Sequence, residues 1–290
     1  MSREFGLRGT IRRLESEVDE TFRIEDAGGT PFVIKLARAG EAEEAVSFQA
    51  GLLLQVQRAA PDLPVPRLLP AVNGAYYLMP QAGPLEGRII RVTSFLPGQP
   101  LRAVRSSGRL REQIGRNLAI LARALRGYDH PAAHRHLVWD IQRMADLRPM
   151  VDAVDSSDRR KILLGQIDRF ENSTAPALSR LRAQVVHNDF NSDNILVAPD
   201  GASDCVSDCV SDCVSVSGIL DFGDARMVAR AIVPEWRASQ SPANRRYLLR
   251  DTARAWTQLN RLLAIPDELV CQRIAKACPT GARNARSNQH

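Results

Sequence analysis

The hydrophobic and polar positions divide the chain into a strand-rich first third and a helix-rich middle. Residues 11–25 (IRRLESEVDETFRIE) read as strand, turn, strand. Asp26–Thr30 (DAGGT) reads as a turn with two glycines, and Pro31–Leu36 (PFVIKL) as a short apolar strand carrying one lysine. Residues 42–59 place Ala45, Val46, Phe48, Leu52, Leu53 and Val56 at helical spacing, and Pro61, Pro64 and Pro66 end that helix. Ala75–Met79 and Arg88–Phe95 read as two further strands, separated by a Gly/Pro loop.

Pro97-Gly98 breaks the pattern. A long amphipathic helix follows, with Leu110, Ile114, Leu118, Leu121 and Leu125 on one face. A second helix is expected from about Ser157 to Phe170, capped by Ser156 or Ser157. Ile195–Val197 and Gly218–Asp221 read as short strands. Beyond Ala225 the periodicity is weak until about 247–263, which is compatible with a helix, and the last dozen residues read as disordered. The expected domains are therefore 1–96, a sheet with one helix; 97–225, mainly helical; and 226–290, a divergent tail.

Composition fits a globular protein: 290 residues, 44% hydrophobic and 25% charged. No run approaches the roughly 18 apolar residues of a membrane span, and the first 20 residues hold no signal-peptide core, so a cytoplasmic location is expected. The formal charge is +6, but it is unevenly placed. From Ala225 to His290, eleven Arg and one Lys face two Asp and two Glu, a net of +8, whereas residues 1–224 carry −2. A basic tail can bind nucleic acid, yet no recognised binding motif accompanies it, and no nucleic-acid or membrane partner is expected.

The five cysteines, Cys205, Cys209, Cys213, Cys271 and Cys278, are expected to be reduced in a cytosolic chain. Three belong to a tandem repeat, Ser-Asp-Cys-Val, at 203–206, 207–210 and 211–214. The repeat reads as a duplicated insertion that lengthens a loop, with a soft-metal site as the alternative.

Candidate chemistry is concentrated in two acidic motifs. Residues 187–194 read His-Asn-Asp-Phe-Asn-Ser-Asp-Asn, and residues 219–224 read Ile-Leu-Asp-Phe-Gly-Asp. Phosphoryl transfer asks for such a set: one carboxylate to orient and deprotonate the attacking hydroxyl, and an amide oxygen with a second carboxylate to hold Mg²⁺ against the phosphates. A short turn lets Asp189 and Asn194 converge, and a hairpin returns Asp221 beside them. Upstream, Phe32-Val33-Ile34-Lys35 supplies a strand lysine ahead of a helix.

These motifs resemble those of the aminoglycoside phosphotransferase and choline kinase family, within the protein-kinase-like fold. The likeness is strongest to its hydroxylysine kinase-like branch, which often occurs fused to aminotransferases. It extends over about residues 5–225 and includes Leu14–Phe22 (LESEVDETF), Leu63–Pro66 (LPVP), Thr93–Gly98 (TSFLPG) and Tyr128–His134 (YDHPAAH) followed by Trp139-Asp140. The resemblance implies an α+β, two-lobed kinase-like fold, with an antiparallel sheet and one helix in the first lobe and a mainly helical second lobe.

It implies ATP and Mg²⁺ as cofactors and a small cationic amino alcohol or amino acid as the hydroxyl substrate. Asp189 would be the catalytic base. Asn194 and Asp221 would hold Mg²⁺. Lys35 would contact the α- and β-phosphates. Thr93, Ser94, Phe95 and Leu96 would form the hinge that meets adenine, and residues 15–21 the turn over the phosphates. His187 would brace the catalytic loop, and Asp224 would serve substrate or metal, or act as a structural cap.

The chain departs from the family pattern in three places. Its phosphate turn lacks glycine. The helix partner of Lys35 is open between Gln49 and the earlier Glu43 and Glu44. After about Ala225 the resemblance fades, which points to an altered or truncated end. The alternative to a working kinase is therefore an inactive relic that at most binds nucleotide.

Overall fold

The computed structural model describes residues 3–16, 19–134, 140–178, 184–199 and 214–222. The SDCV repeat apart from its last residue, Val214, lies outside the described residues, as do Trp139, Asp224, the helix expected at 247–263 and all five cysteines. The chain divides into two compact units, Met1–Leu137 with Leu181–Asp224, and Val138–Arg180 with Ala225–His290.

The first unit opens with strands β1 (Gly9–Leu14), β2 (Glu20–Asp26) and β3 (Pro31–Leu36), then helix α1 (Glu43–Ala59). Strands β4 (Leu68–Leu69) and β5 (Ile90–Ser94) complete an antiparallel sheet of order β1-β2-β3-β5-β4. The β2–β3 turn closes as its composition demands. Asp26 Oδ1 accepts from the amides of Gly28 and Thr30 at 2.9 and 2.8 Å, and Gly29 takes a φ of +79°.

Register sets the two faces of this sheet. Phe22, Ile24, Ile34, Leu36, Ile90 and Val92 share one face and pack with Phe5, Leu7 and Ala71. Full burial of an Ile or Leu side chain is worth about 1.5–3 kcal/mol, so this layer anchors the sheet. The opposite face carries Thr21, Arg23, Val33, Lys35, Arg91 and Thr93. Thr21, Arg91 and Thr93 are buried despite being polar or charged.

α1 buries the six apolar positions read from its periodicity, together with Ala50. The strand expected at Ala75–Met79 does not form. Asn73-Gly74 makes a tight turn, with the Ala75 amide on Asn73 Oδ1 at 3.0 Å, and only Leu78 bridges to Ile90. β4 has taken the rest of that edge by pairing with Val92 and Thr93.

A second sheet, β6-β7-β8, joins β6 (Gln99–Pro100) to a hairpin of β7 (Ile195–Pro199) and β8 (Val214–Ile219). Helix α2 (Gly108–Ala124) packs against β8, and Ser107 caps it by accepting from the Leu110 amide at 3.1 Å. Leu110, Leu121 and Leu125 are buried as expected, but Leu118, at the edge of the stripe, is 41% exposed. α1, α2 and β8 share a core of Phe48, Leu52, Val56, Leu121, Leu125 and Ile219.

Among the described residues, the second unit holds 3-10 turns over Ile141–Ala153, kinked at Arg143, then α3 (Ser157–Arg169). Ser156 caps α3. The helix continues through a π turn at Phe170–Thr174 into α4 (Ala175–Leu178). No helix among the described residues is long and apolar enough to cross a membrane.

Candidate active site

The β7–β8 hairpin builds the site at its base. Ile195 stands opposite Ile219, so the residues just before β7 and just after β8 are held side by side. The Leu220 amide donates to the Asn194 carbonyl at 2.7 Å, which fixes Asn194 beside Asp221. Asp221 lies past the strand end rather than within it, as the sequence had suggested. Its φ of +48° is in the left-handed region, which turns the chain out of the sheet.

The loop from His187 to Asn194 is ordered by its own side chains. The Asp189 amide donates to His187 Nδ1 at 3.2 Å, and His187 Nε2 lies 3.0 Å from the Leu220 carbonyl. An imidazole nitrogen that accepts an N–H carries no proton, so Nε2 carries it and donates to Leu220. His187 is buried, which pushes its pKa below the ordinary histidine value, and its ring packs on Phe190 and Phe222. It is thus a neutral brace between the two acidic motifs.

Asn188, between His187 and Asp189, also has positive φ, at +60°. Non-glycine residues rarely take this conformation, and Asn and Asp tolerate it best. Both such residues among those described therefore flank the site.

Asp189 is gripped from two sides. Asn194 Nδ2 donates to its carbonyl at 3.1 Å and to Oδ2 at 2.5 Å, while Asn191 Nδ2 donates to Oδ1. Asn191 in turn accepts the Asp193 amide at 2.7 Å, and Arg102 Nε pairs with Asp193 at 2.7 Å. Sequence reasoning singled out neither Asn191 nor Arg102. The density of Asn and Asp in HNDFNSDN was the available signal for Asn191. Asn194 spends its nitrogen on Asp189, which leaves Oδ1 as the acceptor atom of its amide.

Lys35 Nζ lies 4.0 Å from Asp221 Oδ1, with the two side chains 29% and 65% exposed. The lysine thus pairs with the second acidic motif and not with α1. Glu43 on α1 instead accepts the Tyr77 hydroxyl at 3.0 Å. An ion pair this long and open is worth little, so Lys35 is placed without being locked.

Thr93 and Ser94 end β5. The Ser94 amide donates to the Arg67 carbonyl at 2.8 Å, and the Phe95 amide to the Pro31 carbonyl at 3.3 Å. The Phe95 ring lies 4.6 Å from the Arg23 guanidinium, and Leu96 packs against Gly218 of β8. Thr93–Leu96 therefore runs from the Lys35 sheet to the hairpin that bears Asn194 and Asp221.

A profile described as the phosphotransferase enzyme family, APH, matches residues 10–232. The chain belongs to this family. Curated relatives include hydroxylysine kinase of Danio rerio, 26% identical over 236 residues, or 77% of this chain and 63% of that protein. Hydroxylysine kinase of Mus musculus is 28% identical over 228 residues, 74% of this chain and 59% of that protein. The chain thus spans about three fifths of the length of these relatives.

Among solved structures, an amicoumacin kinase in complex with AMP-PNP, Ca²⁺ and Ami superposes with a TM-score of 0.52 at 14% identity, over 81% of this chain and 67% of that one. That likeness establishes the α+β protein-kinase-like fold expected from the motifs. The family match ends at 232, close to Ala225, where the sequence resemblance fades.

Proposed function

We propose that the chain is an ATP-dependent small-molecule kinase, moving the γ-phosphoryl group to a hydroxyl of a small cationic amino alcohol or amino acid. The observation that carries this reading is the convergence of Asp189, Asn194, Asp221 and Lys35 around the base of one hairpin and one sheet face.

Asp189 orients the acceptor hydroxyl and takes its proton as oxygen attacks the γ-phosphorus and the bond to ADP breaks. Its two carboxylate oxygens each accept a neutral amide N–H, which favours the ionised form a base requires. Lys35 meets the α- and β-phosphates. The amides of Ser94 and Phe95 are engaged within the chain, which narrows the adenine-facing backbone of Thr93–Leu96 to Leu96 and the carbonyls.

Asn194 Oδ1 and the Asp221 carboxylate suit Mg²⁺, a hard cation that takes one or two protein carboxylates and completes its shell with phosphate and water. No cluster of three or more His, Cys, Asp or Glu among the described residues is placed to hold a metal. A metal shared with the nucleotide fits that set. Bound there, Mg²⁺ would neutralise charge on the phosphates.

The hydroxylysine kinases among the relatives, with the amine-bearing acceptors implied by the sequence resemblance, support hydroxylysine-like substrates first. The test is ADP release from MgATP with 5-hydroxylysine, choline, amino alcohols and aminoglycosides. Acceptor-dependent release that disappears in Asp189→Ala supports the reading. Nucleotide binding without transfer to any acceptor favours the inactive relic, and no nucleotide binding rejects the kinase and leaves the relic.

A further inference from the structure

Arg91 is a buried cation with no role in the chemistry above. It lies in β5 directly opposite Lys35 in β3, and Thr21 of β2 stands opposite Lys35 on the other side. Directly opposed residues of an antiparallel pair project to the same face about 4.5–5.5 Å apart at Cβ. Lys35 and Arg91 are thus neighbouring positive charges on the polar face, and like charges in that position disfavour the fold.

Arg91 is 7% exposed. Burial pulls its guanidinium below the usual arginine range, while the carboxylates of Asp19, Asp221 and Glu41 act in the opposite direction. Among the described residues its ion pair is a single contact to Asp19 Oδ2 at 3.4 Å. Glu41 is engaged by Arg38, and Asp221 lies by Lys35. A guanidinium carries five donors and recognises anions best with a two-pronged fork. One long contact leaves most of that capacity unused.

Two directly opposed cations, Lys35 and Arg91, one of them buried and thinly paired, make little sense as scaffolding. A Met at position 91 would fill the same volume without desolvating a charge. The pair makes sense where a multiply charged anion arrives between them.

We propose that Arg91 is the second cation of the polyphosphate site, held by Asp19 in the nucleotide-free protein and facing the nucleotide phosphates together with Lys35 when they bind. This rests on the kinase reading above and adds to it. Arg91 would make affinity depend on the number of phosphates, and Asp19 would be a competing anion that the polyphosphate displaces.

The experiment is equilibrium binding of ATP, ADP and adenosine to wild type, Arg91→Met, Arg91→Lys and Asp19→Asn, each checked for cooperative thermal unfolding. Arg91→Met should weaken ATP and ADP by about tenfold or more, as expected for a lost charged hydrogen bond, and change adenosine by less than about twofold. Arg91→Lys should recover part of the loss. Asp19→Asn should tighten ATP, and it leaves Arg91 in place should Arg91→Met fail to fold.

Equal weakening of ATP and adenosine in a folded Arg91→Met would reduce Arg91 to a structural residue. Unchanged or weaker ATP binding in Asp19→Asn would remove the competing-anion role. If wild type binds nucleotide while Arg91→Met and Asp19→Asn behave like it, only the Arg91 assignment falls. If wild type binds none, the kinase reading falls and takes Arg91 with it.

Discussion

Asn194 holds Asp189 at two oxygens, the main-chain carbonyl at 3.1 Å and carboxylate Oδ2 at 2.5 Å, through the same amide nitrogen. The residue proposed as a metal ligand therefore also orients the residue proposed as the base, and one rotation of its side chain would disturb both. Replacing that amide by a carboxylate would set two negative charges in contact, and one of them would have to take a proton.

Asn194→Asp should accordingly move the acid limb of the kcat/KM profile to higher pH, because two carboxylates in contact resist ionising together. Asp189→Ala should lower kcat by about 10²- to 10⁴-fold with MgATP binding retained. Steady-state rates across pH, paired with nucleotide binding, read out both variants.

His187 should leave a pH signature in stability. Its folded pKa is depressed by burial, so below the unfolded value, about 6.5, the unfolded chain takes a proton that the folded chain refuses. Stability from this group is complete above that value and is lost as pH falls toward the folded pKa. Thermal unfolding between pH 7.5 and 5 should therefore show the melting temperature falling in wild type, and falling less in His187→Gln, whose amide still donates to Leu220.

Gly98 should tolerate no side chain. Its φ is +136°, and a Cβ there would meet the side chain of Ser217 and lie 2.9 Å from the Val197 carbonyl, part of the backbone. Gly98→Ala should cost about 1–3 kcal/mol, visible in a denaturant melt. Since Gly98 follows the Thr93–Leu96 segment, the Michaelis constant for ATP should rise as well.

Gly51 and Tyr128 should be energetically coupled. The Tyr128 hydroxyl donates to the Phe48 carbonyl of α1 at 2.8 Å, and a Cβ at Gly51 would lie 2.5 Å from that hydroxyl oxygen. Tyr128→Phe alone should cost about 0.5–1.5 kcal/mol. Gly51→Ala should also destabilise. The double variant should cost less than the two together, because losing the hydroxyl makes room for the methyl, and a double-mutant cycle by urea unfolding measures the difference.

Local patterns made much of this fold readable. The alternation in β2 and β3, the apolar spacing of α1 and the serine before α3 are each written in a few consecutive residues. The acidic motifs were readable for the same reason, since the turns joining Asp189 to Asn194 are closed by the residues between them. β4 and β6, each two residues long, are created by partners distant in sequence and have no period of their own. Arg91 was hidden inside a run that reads as an apolar strand, and its position opposite Lys35 appears only with the β3–β5 register. The link from Lys35 to Asp221 spans 186 residues and is invisible to any local pattern.

The β7–β8 ladder runs from Ile195↔Ile219 at the base to Pro199↔Val214 at its far end, where residues 200–213 join the strands. The repeated SDCV units fall, in sequence, within the segment that connects these two strands. Doubling a loop costs only about 0.6 kcal/mol in closure entropy. The ladder keeps Asn194 and Asp221 at the end opposite the one that residues 200–213 connect, so a change in the length of that segment is expected to leave both side chains in register.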